Sequence, residues 1–557
     1  MKSLRRLGLT CGAWLWLGAC SYLAFLKPPS VPRERGTAST ERGPAFTAPN
    51  AAGSKAANDW LTYNRTLAGD RFSPLAEITR ANVVRLRRAC RFDTGERTPM
   101  QSGPIVVDGT IYLTTAEYTY AVDGASCALR WKHRYRYHPR PPFDLKVNRG
   151  AAYLDGRLFR GANDGRVYAL DAATGRELWN VRAGDPARGE TFPAAPVAWD
   201  GKVFIGNAGG DNLGVTGRMM AFDARTGGKL WTFDIVPGNG PAAATWPAET
   251  ERVPHAGGAT WTSYSVDTAA GIVYLPTGNA APDFLRALHP GPNLYTTAIV
   301  ALDAAAGTLR GWYQVLVEDW HDWDVAAAPA LIRLSGGRAL LAVGGKDGHL
   351  YGIDPGSWRL HFQTPVTTRF NVDAPLTPEG TRFCPGVNGG VEWNGPSYSP
   401  STGLLYVGAI DWCTTVKVTH PDSLRGRDGL PWTGSAERFR PFGTPDRTRR
   451  GWLTAVGAED GRVRWRYESP TPLVAGVTAT AGGLVFTGDL AGNVLALDGE
   501  RGGVLWRDST GLPVGGGVVS YAAAGRQRIA VAAGLHAPVT WKLESGPAAL
   551  VVYALPW

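Results

Sequence analysis

The chain has 557 residues, of which 44% are hydrophobic and only 19% charged, with 71 glycines, 40 prolines and 21 tryptophans. That balance excludes a disordered, coiled-coil or collagen-like chain, and it suits many short strands separated by turns. A net charge of +10 is modest for this length. Its densest basic stretch, RYRYHPRPP at 134–142, comes with no nucleic-acid module and reads as a solvated face, so no nucleic-acid partner is expected.

Residues 1–26 open with Lys2, Arg5 and Arg6 and continue as the apolar run LGLTCGAWLWLGACSYLAFL. A basic start followed by an apolar core is an export signal. Leu17-Gly18-Ala19-Cys20 resembles a bacterial lipobox, which would place lipid on Cys20. An uncleaved anchor is the second reading, because Leu7 to Leu26 is about long enough to span a bilayer. A plainly cleaved signal is the third. All three put the folded body outside the cytoplasm, in the periplasm, and two of them give membrane association through the N-terminus. Residues 27–58, rich in Pro, Ser, Ala and Gly, read as a flexible tether, leaving 59–557 as the folded domain.

Beyond ITRANVVRLRR (78–88), read as a short helix, helical periodicity is nearly absent. A phrase recurs instead: an apolar pair, Asp, a small-residue turn, then Trp. It ends at Trp131, Trp179, Trp231, Trp312, Trp465 and Trp506, with a worn copy, GIDPGSWRLHF, ending at Phe362. Self-similarity at about 40–50 residues is what β-propeller blades leave in sequence. Each copy makes local sense as strand, tight turn, strand. The gaps hold excursions such as 236–262 and 365–395, expected as loops gathered over one face. With Cys11 and Cys20 set aside, Cys90, Cys127, Cys384 and Cys413 remain. The local disulfides Cys90–Cys127 and Cys384–Cys413 are expected, although sequence does not fix connectivity. No CxxCH occurs, so covalent c-type haem is not expected and any electron partner must be external.

The densest chemistry is EDWHDWD, Glu318 to Asp324. Carboxylates crowded this closely repel unless a cation or substrate relieves them. On a strand, Asp322 and Asp324 would share a face. Patterning alone leaves both a cation site and an acidic surface loop.

From Trp60 onward the chain resembles the quinoprotein alcohol and glucose dehydrogenases, eight-bladed propellers that bind pyrroloquinoline quinone (PQQ) and a metal. The resemblance rests on WLTYNRTLAGDRFSPLAEITRANVVRL, the Trp-ended repeats, VNRGAAYLDGRLF at 147–159 and the terminal VVYALP at 551–556. It implies an all-β, eight-bladed ring closed by N- and C-terminal strands, and PQQ with Ca2+ or a lanthanide. It implies a substrate that is an alcohol or a sugar, and electrons leaving for a membrane quinone or cytochrome c. Matched segment by segment, Arg149 falls on the partner of a PQQ carboxylate, a task suited to its planar fork. Trp261 falls on the residue stacked beneath the quinone ring. Asn279 matches a metal ligand and Asp322 the catalytic base. Lys346 matches the cation beside the quinone oxygens, and Gln101, Trp393 and Asn394 match further pocket residues.

Several positions depart from the family pattern. Where a glutamate ligand is expected, GGDNLGVTG offers Asn212 with Asp211 beside it. Either Asp211 replaces the missing carboxylate or the metal is held differently, with Asp324 as a possible compensation. Phe143 and Asp144 stand where many relatives have vicinal cysteines, and Pro193 replaces a threonine. These changes keep a second class open, a non-catalytic envelope-scaffold lipoprotein built on the same repeats.

Overall fold

The structure is a computed structural model that describes residues 58–137 and 139–556. The expected signal segment, Cys20 and the expected tether up to residue 57 lie outside the described residues. The described chain is almost wholly β: eight antiparallel sheets of four strands each, one extended by a fifth, with two smaller sheets in the connections. In chain order the sheets span 105–134, 152–182, 197–234, 265–314, 330–365, 397–469, 478–509 and 518–554.

Burial follows strand position within each sheet. The second strands Arg157–Gly161 and Leu484–Gly488 are buried almost throughout, whereas the fourth, such as Glu177–Arg182, alternates exposed and half-buried residues. Apolar clusters join each sheet to the next. Tyr112 and Leu158 bridge the first and second, and Phe159 and Val203 the second and third. Leu275 joins Phe222 between the third and fourth, and Tyr274 and Leu341 bridge the fourth and fifth. Leu340 and Val407, Tyr406 and Val485, then Phe486 and Val531 continue the series. Val552 with Leu113 returns it from the eighth sheet to the first.

The repeated Trp works at these seams. Trp131, Trp179, Trp231 and Trp465 donate their indole N–H to the carbonyls of Ala172, Ala224, Ala304 and Gly499, each in the next sheet's turn. The turn glycine beneath the ring is required on two counts. Gly175 has φ +71°, and a Cβ there would lie 2.5 Å from the Trp131 ring. Gly502 stands likewise against Trp465. Phe362 packs against Gly461, so the worn copy keeps the contact without the hydrogen bond. Between the fourth and fifth sheets the contact runs backwards, with Trp358 of the fifth covering Gly311 of the fourth.

The eighth sheet draws strands from both parts of the chain: Arg87–Asp93 pairs with Ala549–Ala554 in antiparallel register. This corrects the helix expected over 78–88, where only Val83–Arg85 forms a single 3-10 turn. Ile78, Val83 and Leu86 are buried against the seventh and eighth sheets, and the two arginines that follow already belong to the strand. Tertiary pairing overrides weak local preference here. Both expected disulfides are present, Cys90–Cys127 with Cα atoms 5.8 Å apart and Cys384–Cys413 at 4.5 Å. The first ties the eighth sheet to the first.

Candidate active site

In a four-stranded antiparallel sheet, the loop entering the first strand and the loop joining the second to the third lie at the same end. The residues of interest use only these two positions. Gln101, Arg149, Trp261, Asp322 and Trp393 precede the first strands of the first, second, fourth, fifth and sixth sheets. Asp211, Asn279 and Lys346 sit between second and third strands of the third, fourth and fifth. Together they line one cavity with about 190 Å³ of open space. Both excursions placed over one face reach it, through Ala259 and Trp261 and through Val387 and Glu392.

At its floor is an acidic cluster. Asp211, Asp283 and Asp322 each direct one carboxylate oxygen so that the three lie within 4.8 Å of one another. Asn279 donates its amide N–H to the Ala280 carbonyl and to Asp283 Oδ1 at 3.1 Å, which leaves its own oxygen as the atom it offers. Asp283 Oδ2 is buried with no hydrogen-bond partner among the described residues. Asn212, by contrast, lines the cavity but turns its amide N–H to the Gly189 carbonyl at 3.3 Å. Of the two neighbours, it is Asp211 that brings its side chain to the cluster.

Asp322 and Asp324 do not lie on a strand. EDWHDWD is a loop, and Asp322 takes a left-handed conformation with φ +63°, unfavourable for a residue with a side chain. Lys346, not strand alternation, unites the two. Its Nζ lies 3.2 Å from Asp322 Oδ2 and 3.3 Å from Asp324 Oδ2. Asp324 Oδ1 meanwhile accepts from the Asn279 backbone N–H at 3.0 Å.

Burial dominates the electrostatics. It raises Asp283 and Asp322 well above the ordinary carboxylate range, with neighbouring aspartates adding to the effect. It raises Asp211 to about 6, helped by Asp324 and opposed by Lys346. Burial alone would lower Lys346, but Asp322 and Asp324 more than offset it and hold the ammonium well above its usual value. A hard cation would relieve the same repulsion, and three carboxylates with an amide oxygen form an oxygen-only donor set suited to calcium-like ions.

The other wall is planar and cationic. Arg149 lies over the Trp261 ring at 4.4 Å and the Trp393 ring at 5.5 Å, and its Nη1 donates to the Trp261 carbonyl. Burial lowers it to about 10, still charged at neutral pH. Arg149 Nε and Gln101 Oε1 are buried with no partner among the described residues. An aromatic plate, a buried guanidinium and an uncommitted amide fit a flat, carboxylated cofactor. Asn394 departs from expectation: it is absent from the wall, accepting from Tyr63 at 2.9 Å and donating to the Val474 carbonyl. It braces the pocket from behind.

Three site residues escaped sequence reasoning. Asp283, in AAPDF, carried only the signal of an acid four residues beyond Asn279. Glu392, immediately before Trp393, lines the cavity and is raised to about 7 by burial, opposed first by Lys346. Trp541 lines it too and meets Trp393 edge-on at 5.5 Å; it lies outside the repeat phrase.

A ring of sheets whose loops converge on an acidic floor beneath an aromatic, guanidinium-lined wall defines a cofactor- and cation-binding β-propeller. Residues 60–355 match the family model described as glucose/ethanol/alcohol dehydrogenase, beta-propeller domain. Residues 449–552, in the last three sheets, match one described as outer membrane protein assembly factor BamB. The chain is 32% identical over 539 residues to the dehydrogenase subunit of a quinone alcohol dehydrogenase from Gluconacetobacter polyoxogenes, covering 86% of this chain and 71% of that one. It is 28% identical to a lanthanide-dependent methanol dehydrogenase from Methylacidiphilum fumariolicum, covering 84% and 83%. Among solved structures, a europium-containing methanol dehydrogenase superposes with a TM-score of 0.79 at 27% identity, over 90% of this chain and 98% of that one. The chain belongs to the PQQ-dependent alcohol dehydrogenase family.

Proposed function

We propose that this protein is an exported, PQQ- and metal-dependent dehydrogenase, an eight-bladed propeller that oxidises an alcohol and passes the electrons to an external acceptor. The observation that carries the reading is the convergence of Asp211, Asp283 and Asp322 beside Lys346, opposite Arg149 on Trp261. Arg149, Gln101, Trp261, Trp393 and Lys346 would hold PQQ. Asp211, Asp283, Asp322 and Asn279 would hold Ca2+ or a lanthanide, with Asp324 as the second partner of Lys346. When bound, the quinone supplies a two-electron acceptor and the cation a Lewis acid.

The chain's own groups do the rest. Asp322 accepts the hydroxyl proton of the alcohol, and Lys346 at 3.2 Å sets its charge and orientation. The tryptophan plates and Phe143, which lines the cavity, would shield the reacting groups from water. Periplasmic location and tethering through the N-terminal segment agree with a membrane quinone or a cytochrome c as acceptor. A scaffold would have no use for buried, mutually repelling carboxylates, which cost stability unless something binds them.

The test is a titration of residues 28–557 with PQQ, in calcium and then in a light lanthanide, read by tryptophan quenching and by dye-linked oxidation of an alcohol panel. Metal-dependent quenching followed by turnover is expected. Asp322→Asn should bind PQQ and lose turnover by at least about a hundredfold. No quenching under either ion would return the protein to the scaffold class.

A further inference from the structure

Beyond the reaction cavity lies a second space. The sixth sheet sends out residues 417–443 between the short strands Thr414–Val416 and Thr444–Pro445. This excursion, with Phe143, Val387 and Thr540, borders a half-open chamber of about 760 Å³. Phe143, Val387, Asn388, Phe442 and Thr540 line both spaces, so the chamber adjoins the reaction cavity along that border.

The two spaces have opposite charge. The reaction cavity holds Asp144, Asp211, Asp322, Asp324 and Glu392 against Arg149 and Lys346. The chamber holds Arg425, Arg427, Arg438, Arg440 and Lys542 against a single carboxylate, Glu437. Glu437 already accepts from the Thr444 hydroxyl at 3.1 Å. Among the described residues, none of the five cations forms an ion pair. Arg425 and Lys542 donate to carbonyls of their own loops, Arg440 donates to Thr444, and Arg438 lies 5.7 Å from the Phe439 ring. The five are exposed, and unpaired cations gathered along one concavity attract an anion.

We infer that the substrate is an anionic alcohol, a hydroxy carboxylate or hydroxy phosphate, whose hydroxyl end enters past Phe143 and Phe442 towards Asp322 while its charged end stays among the arginines of the chamber. This rests on the dehydrogenase reading and adds the substrate class. The orientation follows from the surplus of cations in the chamber, because Lys346 in the reaction cavity is already paired with Asp322 and Asp324. A concavity of this size takes a small molecule, whereas a docked protein acceptor needs roughly 800 Å² on each partner.

The experiment uses the full enzyme loaded with PQQ and cation. It compares kcat/KM for 4-hydroxybutyrate and 1-butanol in low and high salt, with the double variant Arg427→Glu/Arg438→Glu alongside. Binding of 4-hydroxybutyrate is measured separately by calorimetry. The anion should be preferred at least about tenfold at low ionic strength, with the preference falling steeply in 0.5 M salt. In the double variant it should vanish or invert, and calorimetric binding should weaken by a similar factor. Equal kcat/KM for the two alcohols, unmoved by salt or by the variant, would overturn the inference while leaving the dehydrogenase reading intact. A charge effect confined to reduction of an acidic cytochrome would also overturn it, reassigning the arginines to acceptor docking. Turnover of neither alcohol would overturn the dehydrogenase reading and the inference with it.

Discussion

Replacing Asp283 by Asn separates the cost of the acidic floor from its use. Without a cation, three carboxylate oxygens lie within 4.8 Å of one another, and Asp283 is fully buried. At an effective dielectric of about 20, two unit charges at that distance repel by roughly 3.5 kcal/mol, so removing one charge relieves two pairs worth about 7 kcal/mol. The protein has a cheaper escape: keeping one carboxyl protonated at pH 7 costs only about 4 kcal/mol relative to an ordinary carboxylate. The substitution should therefore stabilise the cation-free protein by up to about 4 kcal/mol. An amide keeps the oxygen that accepts from Asn279, so that contact survives. With cation present the sign reverses, because a carboxylate ligand has been lost; affinity should fall about a hundredfold, or roughly 2.7 kcal/mol. Urea midpoints at pH 7, in chelator and in saturating calcium or lanthanum, should thus cross between wild type and variant. Equal destabilisation in both conditions, with cation affinity unchanged within twofold, would refute the reasoning and make Asp283 merely the anchor of Asn279.

The pair Cys90→Ser/Cys127→Ser opens a loop of 37 residues across the seam between the eighth and first sheets. In the chain-entropy account it should cost about 4 kcal/mol in urea unfolding; a loss under about 1 would mean the seam holds without its bond. Glu392→Gln should show a pH signature. Its carboxyl is raised from 4.5 to about 7, so the folded form binds the proton more tightly and stability falls as pH rises through that interval. The variant should match wild type near pH 4 and exceed it by about 3 kcal/mol at pH 8 in chelator, where a parallel pH profile would contradict the assignment.

Most of the architecture was legible because its signal repeats. The Asp-turn-Trp phrase marks a strand pair and the contact that binds it to the next sheet, so each copy reports local and tertiary structure together. The short helix over 78–88 failed because its arginines belong to a strand whose partner lies more than 450 residues away, beyond any local pattern. In the site, residues on recognisable segments, such as Arg149, Trp261 and Lys346, reached the cavity. What the chain alone could not decide was which of two neighbours joins the acidic cluster: at Asp211-Asn212 both line the cavity, but the Asn212 side-chain amide is taken by the Gly189 carbonyl. Asp283 and Glu392 were missed for a related reason. A lone acid beside a turn is common in sequence, and only folding shows that it is buried against other charges.

The pairing of Arg87–Asp93 with Ala549–Ala554 sets the order of assembly. Early-synthesised residues must wait, one edge unsatisfied, until nearly the whole polypeptide has been made. Such high contact order predicts slow final closure. Asp211, Asn279, Asp283 and Asp322 all lie between those two strands in the chain, on the third to fifth sheets, so the acidic cluster can form before the ring closes. Gln101 and Trp541 line the cavity from the first and eighth sheets, so affinity for a bound cofactor, rather than for the cation, reports the last step of maturation.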